Sequence, residues 1–120
     1  MAQPTLSITM PTRNRPELLE RALRSVVRAV APVAEQVEVA VSDGSDDEAT
    51  GTVVRWILAD WPGGHPYVWN RPALTLVENM NRAVEISTGR WVIPLRYRAV
   101  ESTRSTVRCH RLRLRSETVG

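Results

Sequence analysis

Apolar and polar positions along the chain alternate between two periods. Leu6–Met10 and Val37–Ser42 are short apolar runs of β type, the second interrupted only by Glu38, and each stops at small polar residues before a helical pattern begins. After the first run, Leu19, Ala22, Leu23, Val26, Val27 and Val30 recur at helical spacing and give one apolar face. Asn14 or Arg15 is placed to cap that helix, Pro16 suits its first position, and Glu17 and Glu20 suit its positive end. Glu17–Arg21 and Glu20–Arg24 have the i,i+4 spacing that supports the opposite face, and Pro32 ends the helix. After the second run, Ser45 and Glu48 have capping-box spacing, and Val53, Val54, Ile57 and Leu58 form a second apolar face weakened by Gly51. The Trp61-Pro-Gly-Gly-His-Pro cluster predicts a turn, Tyr67–Trp69 a short third strand, and Leu76–Ser87 a third helix closed by Gly89. Trp91–Leu95 reads as a fourth strand, with Pro94 as its anomaly because it cannot donate to a ladder.

Strands alternating with helices imply right-handed crossovers and a Rossmann-like, doubly wound, mostly parallel sheet of about four strands with helices on both faces. In such sheets ligands bind outside the carboxyl ends of the strands. Two strand ends about thirty residues apart carry Thr12, Asn14, Asp43 and Ser45, which points to a nucleotide site.

A length of 120 residues allows one domain with a real core. All sixteen basic residues are Arg, a bias with no mechanistic content. The net charge of +3 is unevenly spread. Residues 1–95 hold nine Arg against eleven carboxylates, a net of −2, and residues 96–120 hold seven Arg against Glu101 and Glu117, a net of +5. The basic character therefore belongs to the tail and says nothing about the ligand of the folded part. The tail's apolar residues are scattered, so residues 96–120 read as a disordered or loosely packed basic segment. Cys109 is alone, which fits a reducing compartment. No basic leader or apolar stretch of membrane length is present, so the expectation is a cytoplasmic chain, free or peripheral at a membrane.

Several residues have plain structural readings beside the functional ones. Asp43-Gly44 is an ordinary turn pair, Ser45 an ordinary helix cap, and Arg13 an ordinary solvated loop charge. Asp43, Ser45, Asp47 and Glu48 do not make a calcium loop, because the required sixth-position Gly is missing. His65 and His110 have no metal-ligand company. Neither a GxGxxG nor a GxxxxGK[ST] motif occurs, which removes the two commonest nucleotide-binding signatures.

Three segments together resemble a family-2 glycosyltransferase of the GT-A type. "LSITMPTRNRPELLERALRSV" resembles that family's first strand, loop and helix. "VEVAVSDGSDDEAT" resembles its second strand and acidic loop, with Ser42 replacing the first Asp. "LVENMNRAVEISTGRWVIPL" resembles the segment leading to its metal-binding strand. The likeness covers about residues 5–95 and divides the chain into a partial nucleotide-sugar-binding domain, 1–95, and an unrelated tail, 96–120. It implies that Pro11, Thr12 and Arg13 line the nucleotide pocket. It also implies that Asp43 accepts a hydrogen bond from the base, as uracil N3 would supply, that Ser45 holds Asp43 in place, and that Asn81 lies near the sugar-nucleotide. The implied partner is a nucleotide-sugar donor, read here as a UDP-sugar, and the implied cofactor of the intact family is Mg²⁺ or Mn²⁺.

The departure from the family lies after Leu95. There the resemblance calls for an Asp-x-Asp motif whose carboxylates hold the cation against the diphosphate. This chain has Arg96-Tyr97-Arg98 in place of the carboxylates, and two guanidinium groups repel a cation, so no metal residue and no catalytic residue is assigned. Either Arg96 and Arg98 clamp the diphosphate directly, or the chain is truncated or frame-shifted after Leu95. Charge, apolar pattern and likeness all change at that residue, which favours the second. The enzyme reading is therefore a glycosyl-transfer lineage inactive alone. Its rivals are an Arg tail that grips nucleic acid or an anionic membrane without specificity, and a non-functional fragment that self-associates through uncovered surface.

Overall fold

The computed structural model describes residues 3–97, 107–109 and 113–114. Its strands are β1 (Leu6–Thr12), β2 (Val37–Asp43), β3 (Tyr67–Trp69), β4 (Trp91–Tyr97), β5 (Val107–Cys109) and β6 (Arg113–Leu114). Its helices are α1 (Pro16–Val30), α2 (Ala49–Ile57) and α3 (Leu76–Glu85), with a 3-10 segment, Ala31–Gln36, between α1 and β2. β1 to β4 are all parallel, in the order β3-β2-β1-β4, as the alternating pattern predicts. The short β5 and β6 pair antiparallel with β4. The expectation of a loose tail otherwise falls on residues outside those described.

The two faces of the sheet differ in chemistry. Ile8 and Met10 of β1 share a face with Val37, Val39 and Val41 of β2, and that face packs against Leu19, Ala22, Leu23 and Val26 of α1 and Val54 of α2. The apolar core lies there. α3 covers the opposite face, where Ala40 and Val92 are buried beside a set of buried polar side chains: Ser7, Thr9, Glu38 and Ser42. Buried polar groups persist only where they are paired. Glu38 accepts from the Ser7 hydroxyl at 2.6 Å, from Thr88 N at 2.7 Å and from the Thr88 hydroxyl at 2.8 Å. The one charge in the second apolar run thus ties β1, β2 and the α3–β4 loop together.

Three sequence expectations change with the structure. α3 ends at Glu85 rather than Ser87, and Gly89 does not close it. Gly89 instead passes against β1, donating to the Ser7 hydroxyl at 2.8 Å, where a Cβ would stand 2.4 Å from that oxygen. Ser45 does not cap α2; the helix starts at Ala49, whose N–H goes to Asp47 Oδ1 at 3.0 Å. The capping box is on α3, where Thr75 and Glu78 satisfy each other's backbone N–H.

Pro94 lies inside β4 opposite Thr9. Trp91 N donates to Thr5 O on the β1 side at 2.9 Å. Alternation along a strand sends the Ile93 N–H the same way, and the position of Pro94 faces the other edge. There the described pairing skips it, since β5 meets Leu95–Tyr97 and β6 meets Trp91 and Val92. The missing donor costs the ladder nothing.

Candidate functional site

The strand order reverses between β1 and β4: β2 and β3 extend the sheet to one side of β1, and the chain then crosses over through α3 to lay β4 on the other. The carboxyl ends flanking such a switch point splay apart and leave a crevice. A cavity of about 380 Å³ lies there. Pro11, Thr12 and Arg13 line it from the β1 end, Arg96 from the β4 end, and Thr75 and Asn79 from α3.

Two loops meet beside it. Gly44 N donates to Thr12 O at 2.9 Å, which carries the β1–β2 pairing past the strand ends. Asn14 sits at φ 53°, in the left-handed region that Asn tolerates better than most residues. From there its N–H reaches the Ser45 hydroxyl at 2.7 Å, its amide nitrogen reaches Asp46 Oδ2 at 2.9 Å, and its amide oxygen accepts from Asp46 N at 2.8 Å. Arg13 adds a loose, exposed ion pair with Asp46 at 3.7 Å.

The six residues that the family resemblance assigns to the nucleotide separate into three groups. Pro11, Thr12 and Arg13 line the cavity. Asp43 and Ser45 are buried behind it. Asp43 is fully buried; one carboxylate oxygen accepts from Ser45 N at 2.8 Å and the other from the Tyr67 hydroxyl at 2.6 Å. The backbone N–H of Ser45 thus helps fix the Asp43 carboxylate. Burial, and then the bond to Asp43, push the Tyr67 hydroxyl well above the ordinary tyrosine range. Asn81 is on the exposed side of α3 and does not line the cavity.

Asn79, two residues earlier, is the α3 residue that faces inward. It is 5% exposed, accepts from the Ser42 hydroxyl at 2.6 Å and from the Asn70 amide at 3.2 Å, and donates to Thr12 O at 3.2 Å. Ser42, where the family resemblance has an Asp, thereby positions the helix that walls the cavity. Sequence reasoning missed Asn79, Arg15 and Thr75. The Thr75–Glu78 spacing was a readable signal for the start of α3. Nothing in the pattern distinguished Asn79 from Asn81.

The profile of the family described as glycosyl transferase family 2 matches residues 7–95. The chain belongs to that family. Among solved structures, a mannosyltransferase from Pyrobaculum calidifontis, in complex with GDP-Man and Mn²⁺, is similar at a TM-score of 0.65 and 21% identity, a likeness of fold. The match covers 82% of this chain and 30% of the mannosyltransferase. No curated protein matches the sequence. Within this family-2 chain, no helix among the described residues is long and apolar enough to cross a membrane.

A divalent cation does not fit the side chains at this cavity. Hard cations take carboxylate, carbonyl and water oxygens, and no Asp, Glu, His or Cys is among the described residues that line it. The neighbouring carboxylates are engaged elsewhere: Asp43 on Ser45 and Tyr67, Asp46 on Asn14, and Glu78 in the α3 cap. No cluster of three His, Cys, Asp or Glu suited to a metal occurs among the described residues.

Proposed function

We propose that this family-2 domain binds the nucleotide part of a nucleotide-sugar donor in the β1–β4 crevice. One observation carries the reading: Pro11, Thr12 and Arg13, named by the family likeness as nucleotide-pocket residues, line a cavity at the switch point, the place where open α/β sheets bind ligands. The mannosyltransferase of similar fold binds GDP-Man, which supports a sugar nucleotide as the ligand class. A UDP-sugar is the narrower reading. Asp43 and Ser45 serve it from behind, by fixing the loop that Asn14 fastens to the β1 end.

The same geometry supports binding without transfer by this chain alone. An acceptor hydroxyl needs a general base within hydrogen-bond reach, and the described residues lining the cavity offer no carboxylate or imidazole.

Thermal unfolding with millimolar UDP, GDP, uridine and guanosine tests the reading. Ligand at a hundredfold excess over its Kd adds about 2.7 kcal/mol of stability, a shift of several degrees. Stabilisation by a nucleoside diphosphate, greatest for UDP, is the expected result. Absence of a shift with every nucleotide overturns it.

A further inference from the structure

The resemblance implies carboxylates at the end of β4, and the structure has a guanidinium there. Carrying the β1–β4 register two residues past Thr9↔Pro94 sets Arg96 level with Pro11, and both line the cavity. Arg13, in the loop after β1, and Arg15, the residue preceding α1, line it from the other side of the switch point. Three arginines from separate backbone positions thus converge on one cavity, and no carboxylate is among the described residues of its wall.

We propose that the pocket holds the diphosphate of its nucleotide ligand without a divalent cation, Arg13, Arg15 and Arg96 supplying the positive charge instead. This rests on the nucleotide-binding reading above and adds how the phosphates are neutralised. A diphosphate diester carries two negative charges, and guanidinium forks match phosphate oxygens with paired, charge-assisted hydrogen bonds. The amino ends of two helices also border the cavity, α1 beside Arg15 and α3 at Thr75, but Glu17 and Glu78 in their first turns offset the partial positive charge of those ends, so the arginines carry the neutralisation. The ion pair between Arg13 and Asp46 does not compete strongly, since both side chains are exposed and 3.7 Å apart. The substitution of Arg for carboxylate at β4 therefore replaces one means of neutralising the phosphates with another.

The test is calorimetric titration of the full 120-residue chain with UDP and GDP, in EDTA and in Mn²⁺, with uridine and guanosine as controls. The expected result is nucleoside diphosphate binding of equal affinity in both buffers, with the nucleosides weaker. Arg96→Ala and Arg15→Ala should each weaken it about tenfold or more in EDTA, the loss of a charge-assisted contact. Both side chains are exposed, so both variants should unfold at the temperature of the parent, and circular dichroism checks this. Binding that appears only with Mn²⁺ overturns the clamp and leaves the nucleotide site standing. Binding that is indifferent to both substitutions also overturns it. Failure of every nucleotide and nucleoside in both buffers overturns the nucleotide site, and the clamp with it.

Discussion

Thr12 and Asp43 are register partners at the carboxyl ends of β1 and β2, on the same face of the sheet, yet only Thr12 lines the cavity. The Asp43 carboxylate is turned back into the protein, between Ser45 N and the Tyr67 hydroxyl. Asp43→Ala leaves both donors without their acceptor. A buried donor left unsatisfied costs about 1–3 kcal/mol, so denaturant unfolding should show a loss of at least that size. Asp43→Asn keeps one acceptor oxygen for Ser45 and should lose about 1 kcal/mol.

Alkaline pH reads the same pair from the other side. The Tyr67 hydroxyl is held above its ordinary value in the folded state. Its contribution is fully present below about pH 10, where the unfolded tyrosine ionises, and is lost as pH rises beyond that toward the folded value. The chain has no Lys and only two Tyr, so few other groups titrate there. Unfolding free energy should fall above about pH 10, and Tyr67→Phe should remove part of the fall. An unchanged slope in Tyr67→Phe contradicts the assignment.

Gly51 sets a helix propensity against this pair. Ala in place of Gly within α2 gains about 1 kcal/mol of propensity. A Cβ at Gly51, however, would lie 2.7 Å from the Tyr67 hydroxyl. Relieving that contact moves the hydroxyl off Asp43 and forfeits a bond worth about 1.5–3 kcal/mol. Gly51→Ala should therefore destabilise by about 1 kcal/mol, and the loss should shrink or reverse when Tyr67→Phe is already present. A double-mutant cycle measures the coupling.

What was legible in the sequence was whatever one period sufficed to encode. α1 shows its apolar face because Leu19, Ala22, Leu23 and Val26 meet the apolar side of the sheet. β1 and β2 were visible as apolar runs, although Pro11, Thr12 and Asp43 looked like loop and belong to the strands. The α3 side was much less readable. There the helix buries Asn79 along with Ala83 and leaves Leu76 and Val77 58% and 65% exposed, so apolar spacing alone does not mark its inner face. Gly89 resembled a helix stop for a related reason. Its role depends on the distance to Ser7, 82 positions away in sequence, which local periodicity does not encode.

Glu38 tests whether the polar side of the sheet is held by shape or by charge. Its oxygens take three hydrogen bonds, two of them from Thr88. Glu38→Gln keeps an oxygen for Ser7 and Thr88 N, and the Thr88 hydroxyl is able to rotate and accept from the new amide. The expected loss is about 1 kcal/mol. Glu38→Ala strands all three donors and opens a void, for an expected loss of about 3 kcal/mol or more. Equal losses in the two variants would point to charge.

Asn79 and Asn81 give a direct choice between sequence likeness and geometry on one helix. Asn81 is exposed, so Asn81→Ala should leave stability within about 0.5 kcal/mol and nucleotide affinity unchanged. Asn79→Ala removes the acceptor for Ser42 and Asn70 and the donor to Thr12 O. It should cost about 2 kcal/mol in denaturant unfolding, since these are buried groups that lose their partners. It should also weaken nucleoside diphosphate binding, because α3 then loses its side-chain tie to the β1 end that walls the cavity. Asn79→Asp retains the acceptor and loses the donor, so its affinity should fall between parent and Asn79→Ala. Calorimetry on the three variants separates the cases: a loss of affinity in Asn81→Ala with none in Asn79→Ala would move the ligand from the crevice to the outer face of α3.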